Sequence, residues 1–565
     1  MLQQSSMPRS GRIFFAMVCL IAMSGIISAE LYTCPLVPPA SLAPTDPIFK
    51  SRPYIDGSKT FIGGEIVDFD GESANATTPI VDSTTGNRIV IGRLAQMEEK
   101  DALATVDAAK AAWNRGQGVW PQMSTESRIE AMEQFVELLL KKRSDIIDVL
   151  TWEICKSSSD AAAEFDRTVA FIKATITAVR EMSTPSWSVV SGITARIRRV
   201  AVGIMLALGP FNYPFNETYA TLIPALLAGN VVIMKIPTIG GMAHMLTMDA
   251  FASALPPGVI NFVSGSGRKT MPPIMRTGDI DILAFIGGSN TADLLIKEHP
   301  APHRLKVFLQ LEGKNLGIIY PDADLDVTAE QIVLGATSYN GQRCTAIKLV
   351  MVHESVADKF IDLLVEKVSA LKVGLPWTEG VSITPLPEAD KPAYLQSLIA
   401  DAIDKGASVS NAARGGGELG GALMRPAIVY PVTKAMRLWN EEQFGPVIPI
   451  SVYKDINEIY EYYKDTVFGQ QAAVFTSNAL SAAPLLDILS TAVGRININT
   501  QCGRSPDSLP FSGRRSSALG TMSVTEAYKA FSIEIVVAGK SNIINNALLK
   551  EFDTTTQFLA EVKNE

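Results

Sequence analysis

From about Ser51 onward, apolar positions along this chain follow two alternating rhythms. Ala102, Val106, Ala109 and Trp113 recur every three to four residues, as do Ile129, Met132, Val136 and Leu139, the spacing that lays one apolar stripe along a helix. The second rhythm is a short apolar run bounded by polar or turn residues: Val202 to Leu208, Val231 to Met234, Val259 to Val263 and Asp281 to Phe285. Such runs predict strands buried on both faces. Helical stretches between them predict an α/β fold, with a parallel sheet covered by helices on both sides. The apolar segment Thr221 to Met234 is split by Gly229-Asn230 into a helix end and a buried strand. No internal repeat or low-complexity tract interrupts this pattern.

The first fifty residues follow neither rhythm. Arg9 and Arg12 precede an apolar run from Ile13 to Ile27, and the small residues Ser28 and Ala29 follow. This is the layout of a secretory signal peptide over 1–29. The run is shorter than the roughly 20 residues that cross a bilayer comfortably, although an uncleaved anchor stays open. The expected address is the secretory route, or a plastid if the segment leads a bipartite signal. The proline-rich stretch 30–53 reads as a linker.

Composition narrows the function. At 565 residues and 47% hydrophobic, the chain is long enough for more than one domain. A net charge of −8 supplies no basic footprint for nucleic acid. Cys19, Cys34, Cys155, Cys344 and Cys502 are scattered, and the four histidines show no clustering with acids. Neither a disulfide framework nor a metal site is expected.

Chemistry concentrates in a few loops. Cys344 follows a glycine-containing turn and sits beside Arg343, whose charge can favour a thiolate nucleophile; a buried cysteine acting as a small hydrophobe is the plainer alternative. Asn212, in Gly209-Pro210-Phe211-Asn212-Tyr213-Pro214, is a candidate oxyanion donor or a helix cap. Lys235 leaves the carboxyl end of a strand, where open α/β sheets bind ligands.

Together these residues carry a resemblance. Asn212 in Pro-Phe-Asn-Tyr-Pro, Lys235 before a proline, Phe285-Ile286-Gly287-Gly288-Ser289, Gly341-Gln342-Arg343-Cys344 and Glu442-Gln443-Phe444-Gly445-Pro446 occur in the order seen in aldehyde dehydrogenases. The likeness spans about Ser51 to Gly539. Within that superfamily the chain most resembles the NADP-dependent, non-phosphorylating glyceraldehyde-3-phosphate dehydrogenases, chiefly through Gly341 to Lys348 and Arg504 to Phe511.

The resemblance implies a Rossmann-type NADP-binding domain over 54–308 with a β-arm at 187–199, and an α/β catalytic domain over 309–515. Residues 516–540 return to the cofactor domain and form an oligomerisation strand, pairing the arm with a neighbouring subunit in a homodimer or homotetramer. The tail 541–565 is left without a role. Cys344 becomes the nucleophile and Asn212 the oxyanion donor. Arg167, Tyr213, Arg343 and Arg504 match phosphate ligands, implying a small phosphorylated aldehyde as substrate. Lys235 and Thr238 favour NADP over NAD, because Thr238 stands where NAD-preferring relatives often place a glutamate that repels the 2′-phosphate. Gly287 and Ser289 fall near the pyrophosphate, and Glu442 and Phe444 at the nicotinamide ribose and ring.

The chain departs from the family at Leu309-Gln310-Leu311-Glu312-Gly313-Lys314. Gln310 occupies the position of the general base that activates water against the thioester, and an amide cannot take that proton. Three expectations follow. Glu312, two residues along an extended segment, reaches the water instead; or the acyl group passes to coenzyme A or phosphate; or the protein is a slow or non-catalytic member of the fold.

Overall fold

The computed structural model describes residues 37–184, 187–560 and 562. The signal or anchor segment 1–29 and the start of the expected linker lie outside the described residues.

The apolar runs become strands close to where the pattern puts them. Ile204–Leu208, Val231–Lys235, Ile260–Val263, Ile282–Ile286 and Lys306–Gln310 form the parallel centre of an eight-stranded sheet. Within it, Ile204–Leu208 lies between Val231–Lys235 and Ile282–Ile286. The chain therefore builds outward from Ile204–Leu208 in one direction, then restarts on its other side. The carboxyl ends of the two strands flanking that reversal leave a crevice, the usual ligand position in such sheets. The amphipathic stretches form helices Glu99–Trp113 and Thr125–Leu140, the second capped where Ser124 accepts from the Ser127 N–H. Thr221 to Met234 divides as expected, into the end of helix Pro214–Leu227 and the fully buried strand Val231–Lys235. Among the described residues no helix is long and apolar enough to cross a membrane.

Only four residues separate Lys306–Gln310 from Asn315–Ile319, which belongs to a second, seven-stranded sheet. The passage between the layers thus falls at 311–314. In the second sheet, Asn315–Ile319 pairs in parallel with Ile347–His353 and Gln471–Phe475.

Two expectations are corrected. Residues 37–53 are not a free linker: Ser41–Leu42 pairs with Val81–Asp82, and Val37 and Ala40 pack against Ile383 and Leu423. The arm does not wait for another subunit to be paired. Ile193–Ala201 pairs along its whole length with Ser532–Lys540 of the same chain. Helix Val524–Ala530, packed on helices Ser158–Met182 and Pro214–Leu227, delivers the last strand there. The tail is also structured. Helix Ile543–Thr555 follows the last strand, and its Asp553 accepts from the Trp187 indole at 2.9 Å and pairs with buried Arg196.

Candidate active site

The crevice opens into a cavity of about 1130 Å³, walled by Asn212, Tyr213, Gly287, Gln310, Glu312, Arg343, Cys344, Glu442, Phe444, Arg167 and Arg504, with Glu217 among them. Most residues singled out in the sequence therefore converge. Ser289 sits at the edge; Lys235 and Thr238 lie outside this wall, farther along the strand ends.

Backbone geometry presents Cys344. Tyr339, Asn340 and Gly341 are consecutively left-handed (φ 47°, 58° and 71°). A Cβ at Gly341 would stand 2.6 Å from the carbonyl oxygens of Ala336 and Gly445, so the third position admits only glycine. Side chains hold the turn: Tyr339 donates to the Ile154 carbonyl at 2.9 Å, and Asn340 exchanges hydrogen bonds with Thr384. The Cys344 carbonyl accepts from Asn315 Nδ2 at 2.7 Å and Lys348 Nζ at 2.8 Å, which anchors the peptide that follows the cysteine. Cys155 and Cys502 are buried, whereas Cys344 is partly exposed. Burial, then the Glu217 charge, push the Cys344 thiol up to about 11, against the pull of Lys348. Arg343 does not serve the thiolate as its adjacency suggests. Its Nη2 donates to the Gly335 carbonyl at 3.0 Å and to Gln501 at 3.1 Å.

Asn212 meets the cysteine loop from the other domain, donating from Nδ2 to the Gln342 carbonyl at 2.8 Å. One amide hydrogen remains for a ligand. Beneath it lies a support that no sequence spacing announces. Lys156 and Glu164 form an ion pair with both side chains fully buried. Lys156 donates to the Asn212 carbonyl at 2.8 Å and stacks its ammonium 3.4 Å from the centre of the Tyr213 ring. Glu164 accepts the Phe215 and Asn216 N–H groups at 3.0 and 3.1 Å, capping helix Pro214–Leu227.

The arginines come with carboxylates that sequence reasoning missed. Arg167 forms a two-pronged pair with Asp507 (2.9 and 2.7 Å). Buried Arg504 lies 2.6 Å from Glu217 and 3.3 Å from Asp507. Burial alone would raise Asp507, yet Arg167 and Arg504 hold it below the ordinary carboxylate range. Neither ion pair of Arg504 is aligned as a well-directed hydrogen bond, so a better-placed anion can exchange with the carboxylates. A signal for Glu217 was present: it is the one charged residue of helix Pro214–Leu227, whose other thirteen residues are all buried.

Gln310 is buried, and neither its amide oxygen nor its nitrogen has a partner. Glu312 does not reach across to Cys344. Its carboxylate accepts the Ser289 N–H at 3.0 and 2.9 Å, at the first turn of helix Ser289–Glu298. The segment leaves the strand at Gln310, so the same-side argument for an extended chain stops applying.

The cofactor end fits a phosphorylated nucleotide at one position and is contested at another. Among the described residues no acid stands beside buried Lys235, its ammonium donates to the Ile236 carbonyl, and burial pulls it down to about 8. A buried cation without a counter-charge suits a phosphate, and the exposed Thr238 adds no repulsion. At Ser289, by contrast, Glu312 occupies the N–H that an incoming anion would need. Glu442 accepts from the Gly313 N–H at 3.0 Å and pairs with Lys348 at 2.8 Å. Phe444, left-handed at φ 46°, meets Phe211 edge-on at 6.0 Å. No group of metal-ligating side chains occurs among the described residues.

A cysteine loop faces an asparagine across two α/β sheets, and the chain belongs to the aldehyde dehydrogenase family, oxidoreductases acting on the aldehyde group, whose model matches residues 71–536. Among its relatives is the NADP-dependent glyceraldehyde-3-phosphate dehydrogenase of Streptococcus equinus, 34% identical over 81% of this chain and 94% of that protein. The wheat (Triticum aestivum) enzyme of the same name is 31% identical over 86% and 96%. The crystal structure of NADP-dependent glyceraldehyde-3-phosphate dehydrogenase from Bacillus halodurans, complexed with NADP, superposes with a TM-score of 0.79 at 31% identity, covering 86% of this chain and 99% of that one.

Proposed function

We propose that this protein oxidises glyceraldehyde 3-phosphate, or a close phosphorylated aldehyde, to the acid with reduction of NADP through a thioester on Cys344. The observation that carries this reading is the meeting, in one cavity, of the partly exposed Cys344, the Asn212 amide and the buried, under-bonded Arg504. The Cys344 sulfur attacks the aldehyde carbon, and the oxygen that becomes negative receives the free Asn212 amide hydrogen and the Cys344 N–H. Arg504, Arg167, Arg343 and Tyr213 hold the phosphate at the far end, fixing the carbonyl over the sulfur. NADP, when bound, supplies the hydride acceptor. Lys235 with Thr238 would receive its 2′-phosphate, Gly287 and Ser289 its pyrophosphate, and Glu442 and Phe444 its nicotinamide ribose and ring; NAD, lacking the 2′-phosphate, is the poorer ligand.

The test is NADP reduction by glyceraldehyde 3-phosphate in phosphate-free buffer, with Cys344→Ala as control. A rapid first turnover lost in the control supports the reading; no burst with the natural sequence overturns it. Two further proposals accompany it. Exposed Val189, Val190, Ile197 and Val536 on the three-stranded arm support a homodimer or homotetramer, checked by light scattering. Arg9, Arg12 and the run Ile13 to Ile27 support an N-terminal address for the secretory route or a plastid, checked by the mature N-terminal sequence.

A further inference from the structure

The second half of such a reaction needs a proton acceptor, and the side chain at Gln310 is an amide. Five glutamates line the cavity: Glu217, Glu312, Glu388, Glu441 and Glu442. Four are held by groups other than the arginines that would hold the substrate phosphate. Glu312 accepts the Ser289 N–H, Glu442 is held by Lys348 and the Gly313 N–H, Glu441 by Arg437, and Glu388 by Lys391. Glu217 differs. Its partner is Arg504 at 2.6 Å, the residue a substrate phosphate would itself engage. It stands in the first turn of the helix that follows Asn212, and Asn212 touches the residue two before Cys344. Glu217 and Cys344 line the same cavity, and the Glu217 charge helps to raise the Cys344 thiol.

We propose that Glu217 is the general base for hydrolysis of the Cys344 thioester, freed for that role when the substrate's phosphate takes Arg504. The proposal rests on the function given above. The Glu217 carboxylate takes a proton from water as the water oxygen bonds to the thioester carbon. Collapse of that adduct breaks the carbon–sulfur bond, releases the acid and leaves Cys344 as thiolate, which regains a proton. Gln310, with both ends of its amide free, donates to and accepts from the same water without taking its proton. In the absence of an anion, Glu217 stays paired with Arg504 and is not turned to the water. Hydrolysis is thereby tied to the charge of the substrate.

The experiment follows NADPH by stopped flow and Cys344 acylation by intact-protein mass spectrometry. Glu217→Gln should keep a first-turnover burst of about one NADPH per subunit, lose roughly a hundredfold or more of the steady-state rate, and accumulate acylated protein. Adding Gln310→Glu to that variant should restore turnover. Steady-state turnover of Glu217→Gln within twofold of the natural protein overturns the proposal. A second arm needs no substitution: with unphosphorylated glyceraldehyde the natural protein should accumulate the acyl form, and inorganic phosphate should release it. Turnover of glyceraldehyde in phosphate-free buffer as fast as that of its phosphate, or turnover that requires coenzyme A, overturns it. No burst from the natural protein with glyceraldehyde 3-phosphate overturns instead the reading on which it rests, so the two failures are distinct.

Discussion

The two ends of the cavity handle anions in opposite ways. At the substrate end, Arg167 and Arg504 are paired with Asp507 and Glu217, so the cations are fixed in place and part of their charge is answered before any ligand arrives. At the cofactor end, Lys235 is buried with no acid beside it among the described residues, while the backbone donor at Ser289 is covered by Glu312. Paired arginines hold their geometry but must exchange one anion for another, whereas an unpaired lysine binds without exchange and depends on its ligand for compensation. The chain therefore spends carboxylates where orientation of a small substrate decides the rate, and omits one where the ligand's own phosphate suffices.

Removing one cation at each end should separate these designs. Arg504→Met strips the substrate end of a buried donor set and leaves Glu217 and Asp507 with one guanidinium fewer. We expect kcat/KM for glyceraldehyde 3-phosphate to fall about a hundred- to a thousandfold, the ~3–4 kcal/mol of a lost charge-assisted pair and its exposed partners, with NADP affinity unchanged in a direct fluorescence titration. Lys235→Ala should do the reverse. The Kd for NADP should rise about 10- to 100-fold, roughly 1.5–3 kcal/mol for one charged hydrogen bond, and the Kd for NAD should stay within about twofold; equal weakening of both would show that Lys235 does not read the 2′-phosphate.

The sequence carried the sheet and most of the cavity wall, because both depend on local signals. Val231 to Met234 announces a buried strand, and the order of Asn212, Lys235, Gln310, Cys344 and Glu442 along the chain matches the order of loops at the strand ends. What was illegible depends on contacts across long separations. Nothing near Arg504 in the sequence points to Glu217, nearly three hundred residues earlier, and nothing near Asn212 points to the Lys156–Glu164 pair beneath it. Arg343 shows the same limit: adjacency along the chain is not adjacency in space, and its guanidinium is turned to Gly335 and Gln501. Glu312 misled because a period of two holds only while the strand continues, and the strand ends at Gln310.

The charge balance at the substrate end also sets the reactivity of the cysteine. With the Cys344 thiol pushed up to about 11, the thiolate is a minor form at neutral pH. Alkylation by iodoacetamide, followed by mass spectrometry, should accelerate roughly tenfold per pH unit between 7 and 9. A rate already flat above pH 7 would mean that Lys348 outweighs burial and Glu217.

The smallest expected effect tests the contested cofactor end. Glu312 accepts the Ser289 N–H with both carboxylate oxygens and lies 3.1 Å from the position a Cβ on Gly288 would take, so an anion approaching that helix terminus must displace it. The carboxylate gains about 1 kcal/mol from the helix N-terminus, and that amount is subtracted from the affinity of any competing phosphate. Glu312→Gly should therefore tighten NADP binding about fivefold. Because the competition is for the pyrophosphate seat and not for the 2′-phosphate, NAD should gain by the same factor. That equality is the discriminating readout: a gain for NADP alone would place Glu312 in repulsion with the 2′-phosphate near Lys235, and no gain for either would mean that the carboxylate leaves Ser289 without cost when the nucleotide enters.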